Sequence, residues 1–134
     1  MAILGFDPGK DKCGLAVMGK DRQLLYHQVI VSEQAIATLE SLCQQFSIDL
    51  LVMGNQTTAQ GWKQALESRL APPIAMVDER NSSLQARDRY WQMYPPKGLA
   101  RLIPQGMRLP PRPVDDIVAI LLIERYLQTE ELLK

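Results

Sequence analysis

Acidic residues mark three boundaries between the elements that the sequence predicts. They are Asp7 at the end of the first strand, Asp78 and Glu79 at the end of the fifth strand, and Asp115 and Asp116 at the start of the last helix. The carboxyl ends of parallel strands lie at one edge of a sheet, and open α/β sheets bind ligands there. Carboxylates that converge at such an edge without lysines between them need a cation, and their hard oxygen atoms favour Mg²⁺ or Mn²⁺. The sequence therefore predicts a metal site at this edge.

Each acid also has a purely structural explanation. Asp7 precedes Pro8-Gly9, and aspartate favours the first position of a turn of this kind. The acids at positions 78 and 79 can simply end a strand in solvent, and Asp115 can act as a helix N-cap worth about 1 kcal/mol. For any one acid the structural explanation is the better one. The three boundaries together, with a basic segment between the second and the third, favour the metal site.

The hydrophobic pattern predicts five strands. The first three are joined by tight turns and form an antiparallel meander; they cover residues 2–6, Cys13–Met18 and Gln23–Val31. The last two are short apolar runs that suit strands buried on both faces; they are Ile48–Met53 and Ile74–Val77.

Four helices are predicted among and after these strands. Their expected limits are a first helix capped by Ser32, a second helix from about Trp62 to Leu70, a third helix capped by Ser82 or Ser83 and ending near Met93, and a last helix capped by Asp115 or Asp116. Residues 94–113 contain six prolines and are predicted to form a long irregular loop, a feature that is usually functional in small domains.

This order of elements predicts a single α/β domain over residues 1–134. A meander followed by parallel strands linked by helices gives a five-stranded mixed sheet with helices on both faces. Right-handed crossovers place strands four and five beside strand one, on the side away from strands two and three. The predicted strand order is therefore 3-2-1-4-5.

Charge is unevenly distributed along the chain. The formal net charge is zero, but residues 80–112 carry seven basic side chains against Asp88 alone, a local excess of +6. A local field of this kind steers a polyanion even when the whole protein is neutral. A solvated arginine-rich helix and loop explains the same pattern equally well, so charge alone leaves both interpretations open.

Other features of the sequence exclude several classes of protein. No apolar run approaches the roughly 20 residues that a membrane span needs, and the first residues lack the features of a signal peptide, so we expect a cytosolic protein without a membrane partner. Cys13 and Cys43 have no metal or redox spacing and are expected to be free thiols. His27 lies in an apolar strand and is expected to be a core or surface histidine rather than a ligand or a general base.

Three motifs, in this order and across nearly the whole chain, resemble the RuvC-type Holliday junction resolvases and their YqgF relatives. They are Ile3-Leu4-Gly5-Phe6-Asp7-Pro8-Gly9 with Cys13-Gly14-Leu15-Ala16-Val17, then Val77-Asp78-Glu79-Arg80, then Val114-Asp115-Asp116-Ile117-Val118-Ala119-Ile120-Leu121-Leu122. Each motif alone is weak, and the ordered set is fairly specific. The chain length suits the YqgF relatives better than the longer RuvC enzymes.

The resemblance implies an RNase H-like fold and metal-assisted hydrolysis of a phosphodiester bond. It implies that Asp7, Glu79 and Asp115 bind the metal, with Asp116 as a further candidate where the family commonly has a small residue. Two Mg²⁺ or Mn²⁺ ions about 3.5–4 Å apart would be bridged by Asp7, and Glu79 and Asp115 would each complete one coordination shell. Neighbouring strand-end side chains point in opposite directions, so only one of Asp78 and Glu79 faces the crevice, and Glu79 is our choice.

The same resemblance implies a nucleic-acid partner, which is either a structured RNA such as the end of precursor 16S ribosomal RNA or a branched DNA such as a four-way junction. The enzyme would act as a monomer or a homodimer. Basic side chains would contact phosphates, which position a substrate without specifying its sequence. The candidates are Lys10, Arg80, Arg87, Arg101, Arg108 and Arg112.

A second class of protein stays open, namely a non-catalytic RNase H-like module that binds nucleic acid or another protein. Three departures from the family pattern support it. They are Gly54-Asn55-Gln56-Thr57 in place of Gly-x-Pro, Asn81-Ser82-Ser83 in place of hydrophobic-Thr-Thr, and a proline-rich rather than lysine-dense loop before the last helix. The first two departures lie where substrate contacts are expected.

Overall fold

The computed structural model describes residues 1–55 and 58–133. The strands are β1 (Ala2–Asp7), β2 (Lys12–Gly19), β3 (Leu24–Val31), β4 (Ile48–Gly54) and β5 (Ile74–Val77). The helices are α1 (Ala35–Gln45), α2 (Ala59–Glu67), α3 (Ser82–Met93) and α4 (Asp115–Leu133). Single turns of 3₁₀ helix cover Ser32–Gln34, Gly98–Leu102 and Gln105–Met107.

The five strands form one mixed sheet in the order β3-β2-β1-β4-β5. The β1–β2 and β2–β3 pairs are antiparallel, whereas β1–β4 and β4–β5 are parallel. The predicted strand order is therefore confirmed. Within the described ranges, no helix combines the length and the apolarity that crossing a membrane requires.

Each face of the sheet packs against its own pair of helices. Leu4, Phe6 and Leu15 point to the face covered by α1 and α2, and all three are fully buried. Ile3 and Ala16 point to the opposite face, where α3 and α4 pack. Burial of each large apolar side chain contributes about 1.5–3 kcal/mol, so the two alternating patterns hold β1 and β2 in register. Helices on both faces confirm the predicted layering.

Two predicted helix caps are wrong. Ser32 does not cap α1, which begins at Ala35; its hydroxyl instead donates a hydrogen bond to the carbonyl of Gly9 over 2.8 Å. The N-cap of α3 is Asn81 rather than a serine, and its φ of 60° is in the left-handed region that asparagine tolerates better than most residues. Ser82 is the first residue of the helix, so the turn before α3 is tighter than the sequence pattern indicates.

Two other segments also differ from prediction. Helix α2 ends at Glu67, and Leu70 packs into the core from the turn that follows. The predicted loop over residues 94–113 contains two short 3₁₀ turns, which the carbonyls of Ala100 and Pro104 stabilise by accepting hydrogen bonds. The segment is thus partly regular in spite of its prolines.

Candidate active site

A pocket of about 340 Å³ opens where β1 ends, between the first turns of α3 and α4. We call it the acidic pocket; its lining is Asp7, Pro8, Glu79, Asn81, Ser82, Ser83, Leu84, Asp115 and Val118. Three of the four acids that the sequence predicts as a metal set meet here. Asp116 is not part of this lining.

Asp7 occupies the centre of this arrangement because of its place in the sheet. It is the last residue of β1, is paired with Gly14 on β2, and is only 7% exposed. Alternation along β1 puts Ile3, Gly5 and Asp7 on the face that α4 covers. The carboxylate therefore extends the buried face of the sheet into the pocket.

Gly14 allows the start of α4 to reach the sheet. A Cβ atom at this position would overlap the backbone carbonyl of Asp115 and would lie 2.6 Å from the backbone nitrogen of Asp116. The backbone of Asp115 thus lies directly against the strand residue that pairs with Asp7. Because Gly14 has no side chain, Asp115 can approach the strand end that carries Asp7.

Gly54, on the other side of β1, leaves room for the side chain of Glu79. It ends β4 one residue after Met53, the partner of Phe6, and it pairs with Val77 on β5. A Cβ atom at Gly54 would overlap the carboxylate of Glu79. The Glu79 side chain therefore fills the space that the glycine leaves, and this brings it towards the strand end that carries Asp7.

The two glycines should respond differently to the same substitution. In Gly54→Ala the new methyl group meets only the end of a flexible side chain, so we expect Glu79 to be displaced, Mn²⁺ affinity to fall by about tenfold and stability to change little. In Gly14→Ala the methyl group meets backbone, and we expect a loss of about 1–3 kcal/mol in the free energy of unfolding. Calorimetry with Mn²⁺ and urea unfolding of both variants measure the two effects; similar stability losses would contradict this account.

A tight turn between β5 and α3 presents Glu79. The Asp78 carboxylate accepts a hydrogen bond from the Arg80 backbone N–H over 3.0 Å, and the Ser82 N–H donates to the Glu79 carbonyl over 3.0 Å. The left-handed Asn81 completes the turn. Asp78 is exposed and lies outside the acidic pocket, whereas Glu79 is half-buried and lines it.

The electrostatic environment of Asp115 opposes ionisation. Its pKa is raised above the ordinary value of 3.8, mainly because burial penalises the charged form and also because the Asp116 carboxylate repels it. A hydrogen bond to its own backbone and the charge of Lys12 act in the opposite direction but are outweighed. A cation in the pocket would relieve this penalty, so the donor set suits a hard divalent metal.

The acids share a pocket, but they are not arranged as a finished coordination shell. Across residues 1–55 and 58–133, no three His, Cys, Asp or Glu side chains stand close enough together to hold a metal ion as they are placed. Binding by all three acids would require side-chain rotation within the pocket. Carboxylate oxygens on two strand ends and one helix start are the ligand type that Mg²⁺ and Mn²⁺ prefer.

Asp116 makes a different set of contacts from its neighbour. It is 2% exposed, and its Oδ2 atom lies 2.6 Å from Nδ1 of His27 on β3. Arg112 donates to both carboxylate oxygens, over 3.0 Å to Oδ1 and 3.3 Å to Oδ2. The sequence does not reveal the His27 contact, because 89 residues separate the partners. The carboxylate predicted as a fourth metal ligand is thus engaged in fixing the start of α4 to β3 and to the preceding loop.

Loss of Arg112 should therefore destabilise the fold. The guanidinium also lies over the rings of Tyr90 and Tyr94, at 5.4 Å and 5.8 Å from their centroids. We expect Arg112→Ala to lower the free energy of unfolding by about 2–3 kcal/mol, because a buried carboxylate loses two hydrogen bonds. The exposed Arg101 is the matched control, and Arg101→Ala should change stability by less than about 0.5 kcal/mol. Urea unfolding checks both values, and equal effects would exclude the proposed role of Arg112.

The basic residues predicted to contact phosphates fall into two groups. Among the described residues, none of the six lines the acidic pocket. Arg108 and Arg112 are tied to the protein: Arg108 donates to the carbonyls of Ala100 and Arg101 and lies 5.9 Å from the centre of the Trp91 ring. The side chains of the other four are exposed or half-buried; they are Lys10, Arg80, Arg87 and Arg101.

The segment after β4, where the sequence departs from Gly-x-Pro, is only partly described. Asn55 is exposed, and its N–H donates to the carbonyl of Val77 over 3.1 Å. Gln56 and Thr57 lie outside the described residues.

Solved structures with the same fold include two junction-resolving enzymes. The Thermus thermophilus RuvC structure in complex with a Holliday junction substrate superposes with a TM-score of 0.65 at 16% identity and covers 98% of this chain and 96% of that chain. The Fowlpox virus resolvase in complex with Holliday junction DNA superposes with a TM-score of 0.61 at 13% identity, with complete coverage of both chains. These similarities establish that the fold is RNase H-like, as predicted.

Sequence comparisons define the family. A protein of Coxiella burnetii (strain Dugway 5J108-111), named "Putative pre-16S rRNA nuclease", is 26% identical over 154 residues and matches 98% of this chain and 95% of its own length. A protein of the same name from Xanthomonas euvesicatoria is 26% identical over 140 residues, with 93% and 86% coverage. Residues 1–129 match the family described as RuvX: Holliday junction resolvase. The chain is therefore a member of the RuvX family of Holliday junction resolvases.

Proposed function

We propose that this chain is a Mg²⁺- or Mn²⁺-dependent nuclease that hydrolyses phosphodiester bonds of a structured nucleic acid in the cytoplasm. The observation that carries the proposal is the meeting of Asp7, Glu79 and Asp115 in one pocket at the carboxyl end of the sheet. A pocket with three carboxylates repels a phosphate group unless cations intervene. Family membership supports the same reaction class.

The protein side chains have separate tasks in this reaction. Two bound ions would supply activation of water and neutralisation of charge on the leaving oxygen. Asp7, on the rigid end of β1, would hold both ions, while Glu79 and Asp115 would each hold one. Burial raises the pKa of Asp115, and a nearby cation would offset this cost of ionisation. Asp116 is assigned no metal, because His27 and Arg112 occupy its oxygens.

The substrate is proposed from the charge distribution and from the relatives. Residues 80–112 carry a local excess of +6, and exposed basic side chains of this segment, namely Lys97 and Arg101, would contact a phosphate backbone. The curated relatives carry the name of pre-16S rRNA nucleases, and the superposed resolvases hold junction DNA. Both are folded nucleic acids, so a structured RNA and a branched DNA are the two substrates to compare.

A direct assay tests the proposal. Purified protein is incubated with a structured precursor-type RNA, a four-way DNA junction and a linear DNA duplex, each with Mg²⁺, with Mn²⁺ or with a chelator. We expect metal-dependent cleavage of a folded substrate and little cleavage of the linear duplex. Cleavage that persists in the chelator would contradict the metal requirement, and absence of cleavage with all three substrates would contradict the nuclease assignment.

One observation favours a second candidate, a non-catalytic module that binds nucleic acid. In the part of the chain that the structure describes, the acids do not form a finished three-ligand metal site. Calorimetric titration with Mn²⁺ separates the two candidates, because a nuclease of this type must bind the ion, whereas a binding module has no need of it. Nucleic-acid binding without Mn²⁺ binding would favour the module.

A further inference from the structure

Arg125 on α4 makes three hydrogen bonds with the turn that carries Glu79 and with the helix that follows it. Its Nη1 atom donates to the carbonyl of Asp78 over 2.8 Å, and its Nη2 atom donates to the carbonyl of Arg80 over 2.8 Å. Nη2 also donates to Oε1 of Gln85 over 2.9 Å. The two carbonyls belong to the residues immediately before and after Glu79, so the guanidinium holds the backbone on both sides of this acid.

We propose that Arg125 is a positioning residue that fixes the turn at residues 78–80 and thereby sets the orientation of Glu79 in the acidic pocket. This inference rests on the proposed metal-binding role of Glu79. Arg125 lines a separate cavity together with Asp78, Arg80 and Gln85, and it does not line the acidic pocket. It therefore acts on the site through the backbone of the turn and not through contact with metal or substrate.

The geometry suits arginine in particular. A guanidinium presents its donors in a rigid planar fork and can therefore hold two carbonyls at a fixed separation, which a lysine ammonium cannot do. Without this fork, local hydrogen bonds remain within the turn, such as those from Arg80 N–H to Asp78 and from Ser82 N–H to Glu79. These bonds shape the turn but do not connect it to α4.

Helix α4 then carries one acid and positions another. Asp115 opens the helix, and Arg125 follows ten residues later, about 15 Å along the axis at 1.5 Å per residue. Between them, Ala119 and Ile123 pack on Gly5 of β1. The strand that ends in Asp7 is therefore packed against the same helix that carries Asp115 and holds the Glu79 turn, so one rigid element sets the spacing of all three acids.

The test compares Arg125 with Arg89, which offers a matched control. Arg89 on α3 donates two hydrogen bonds to Glu124 on α4, over 3.0 Å and 2.8 Å, and has no part in the acidic pocket. Arg125→Met and Arg89→Met each remove a guanidinium that connects α4 to the region after β5. Only Arg125→Met removes support from the Glu79 turn.

Three measurements separate positioning from general stability. We expect Arg125→Met to weaken Mn²⁺ binding and to lower kcat by about 10–100-fold, with KM for the nucleic acid changed less than about twofold. Arg125→Lys should recover only part of the loss, and millimolar guanidinium should partly restore kcat to Arg125→Ala. The backbone amides of Arg80 and Ser82 should exchange faster in Arg125→Met. Arg89→Met should show none of these changes.

The outcomes distinguish this inference from the proposed function. Mn²⁺ affinity and kcat that stay within about twofold of the wild-type values in Arg125→Met would overturn it, as would equal losses in Arg89→Met. If the wild-type protein neither binds Mn²⁺ nor cleaves, the proposed function fails. Amide exchange then still decides whether Arg125 fixes the turn, because unchanged exchange at Arg80 and Ser82 in Arg125→Met would by itself overturn the positioning role.

Discussion

Replacing Asp7 with asparagine is expected to lower metal-dependent cleavage by about a thousandfold or more. Asp7 ends the central strand β1. Two other carboxylates line the same pocket, that of Glu79 from the turn between β5 and α3 and that of Asp115 from the start of α4. A carboxylate shared by two ions contributes several kcal/mol of charge stabilisation, and each 1.36 kcal/mol corresponds to a factor of ten in rate. Asparagine keeps the shape of the side chain and removes only the charge.

The matched control for this experiment is Asp78→Asn. Asp78 also lies at a strand end, next to Glu79, but its side chain is exposed, lies outside the acidic pocket and serves the turn by accepting the Arg80 N–H. Asparagine retains an acceptor oxygen there, so cleavage should stay within about threefold of the wild-type rate. Single-turnover cleavage, Mn²⁺ calorimetry and thermal unfolding are measured on both variants. Wild-type cleavage by folded Asp7→Asn would remove Asp7 from the mechanism.

The sheet was predictable because its strands follow simple rules. Apolar residues alternate or run together over β1, β2 and β4, and turn residues separate the three strands of the meander. The handedness of the crossovers leaves one arrangement for β4 and β5. Since β1 and β5 are parallel to β4, their carboxyl ends share an edge, and the placement of Asp7 and Glu79 in one pocket follows from that topology.

Contacts between distant segments could not be predicted in this way. The His27–Asp116 contact joins an edge strand to the last helix, and Arg125 reaches back 47 residues to the Asp78 carbonyl. Neither pair leaves a periodic pattern, because each depends on how closely α4 lies on the sheet. That approach is set by Gly5 and Gly14, which the sequence shows only as small residues within strands.

The start of α3 illustrates a different limit. Serine is a favoured N-cap when its backbone is extended, and the Ser82-Ser83 pair fits that pattern. The chain instead needs a left-handed residue at Asn81 to turn sharply from β5 into the helix. The sharp turn from β5 into α3 therefore overrides the usual preference for an N-cap residue with an extended backbone.

Replacing Asp115 with asparagine is expected to abolish cleavage and, in the absence of metal, to make the protein more stable at neutral pH. The pKa of Asp115 is raised, chiefly by burial and further by repulsion from Asp116. The folded state therefore holds the proton on this group more tightly than the unfolded state does. Asparagine keeps an acceptor for the backbone hydrogen bond and removes both the desolvation cost and the repulsion.

The pH dependence of this stability difference identifies its cause. Below the unfolded pKa, near 3.8, Asp115 is protonated in both states, and wild type and Asp115→Asn should unfold at similar urea concentrations. As the pH rises through the raised folded pKa, the wild type loses stability relative to the variant, and the difference then stays constant towards pH 7. Urea unfolding curves at pH 3.5, 5 and 7 measure the stability difference between the wild type and Asp115→Asn. A difference that stays constant across this range would mean that packing, and not charge, causes it.

Saturating Mn²⁺ should then reverse the order of stability. A ligand that binds only the folded state stabilises it by mass action, and the wild type retains all three carboxylates of the acidic pocket, whereas the variant has two. The unfolding temperature of the wild type should rise with Mn²⁺ concentration, and that of Asp115→Asn should rise far less. Burial of the Asp115 carboxylate costs stability, and a bound cation would offset that cost. Equal responses of the two proteins to Mn²⁺ would place the ion elsewhere and remove Asp115 from the metal set.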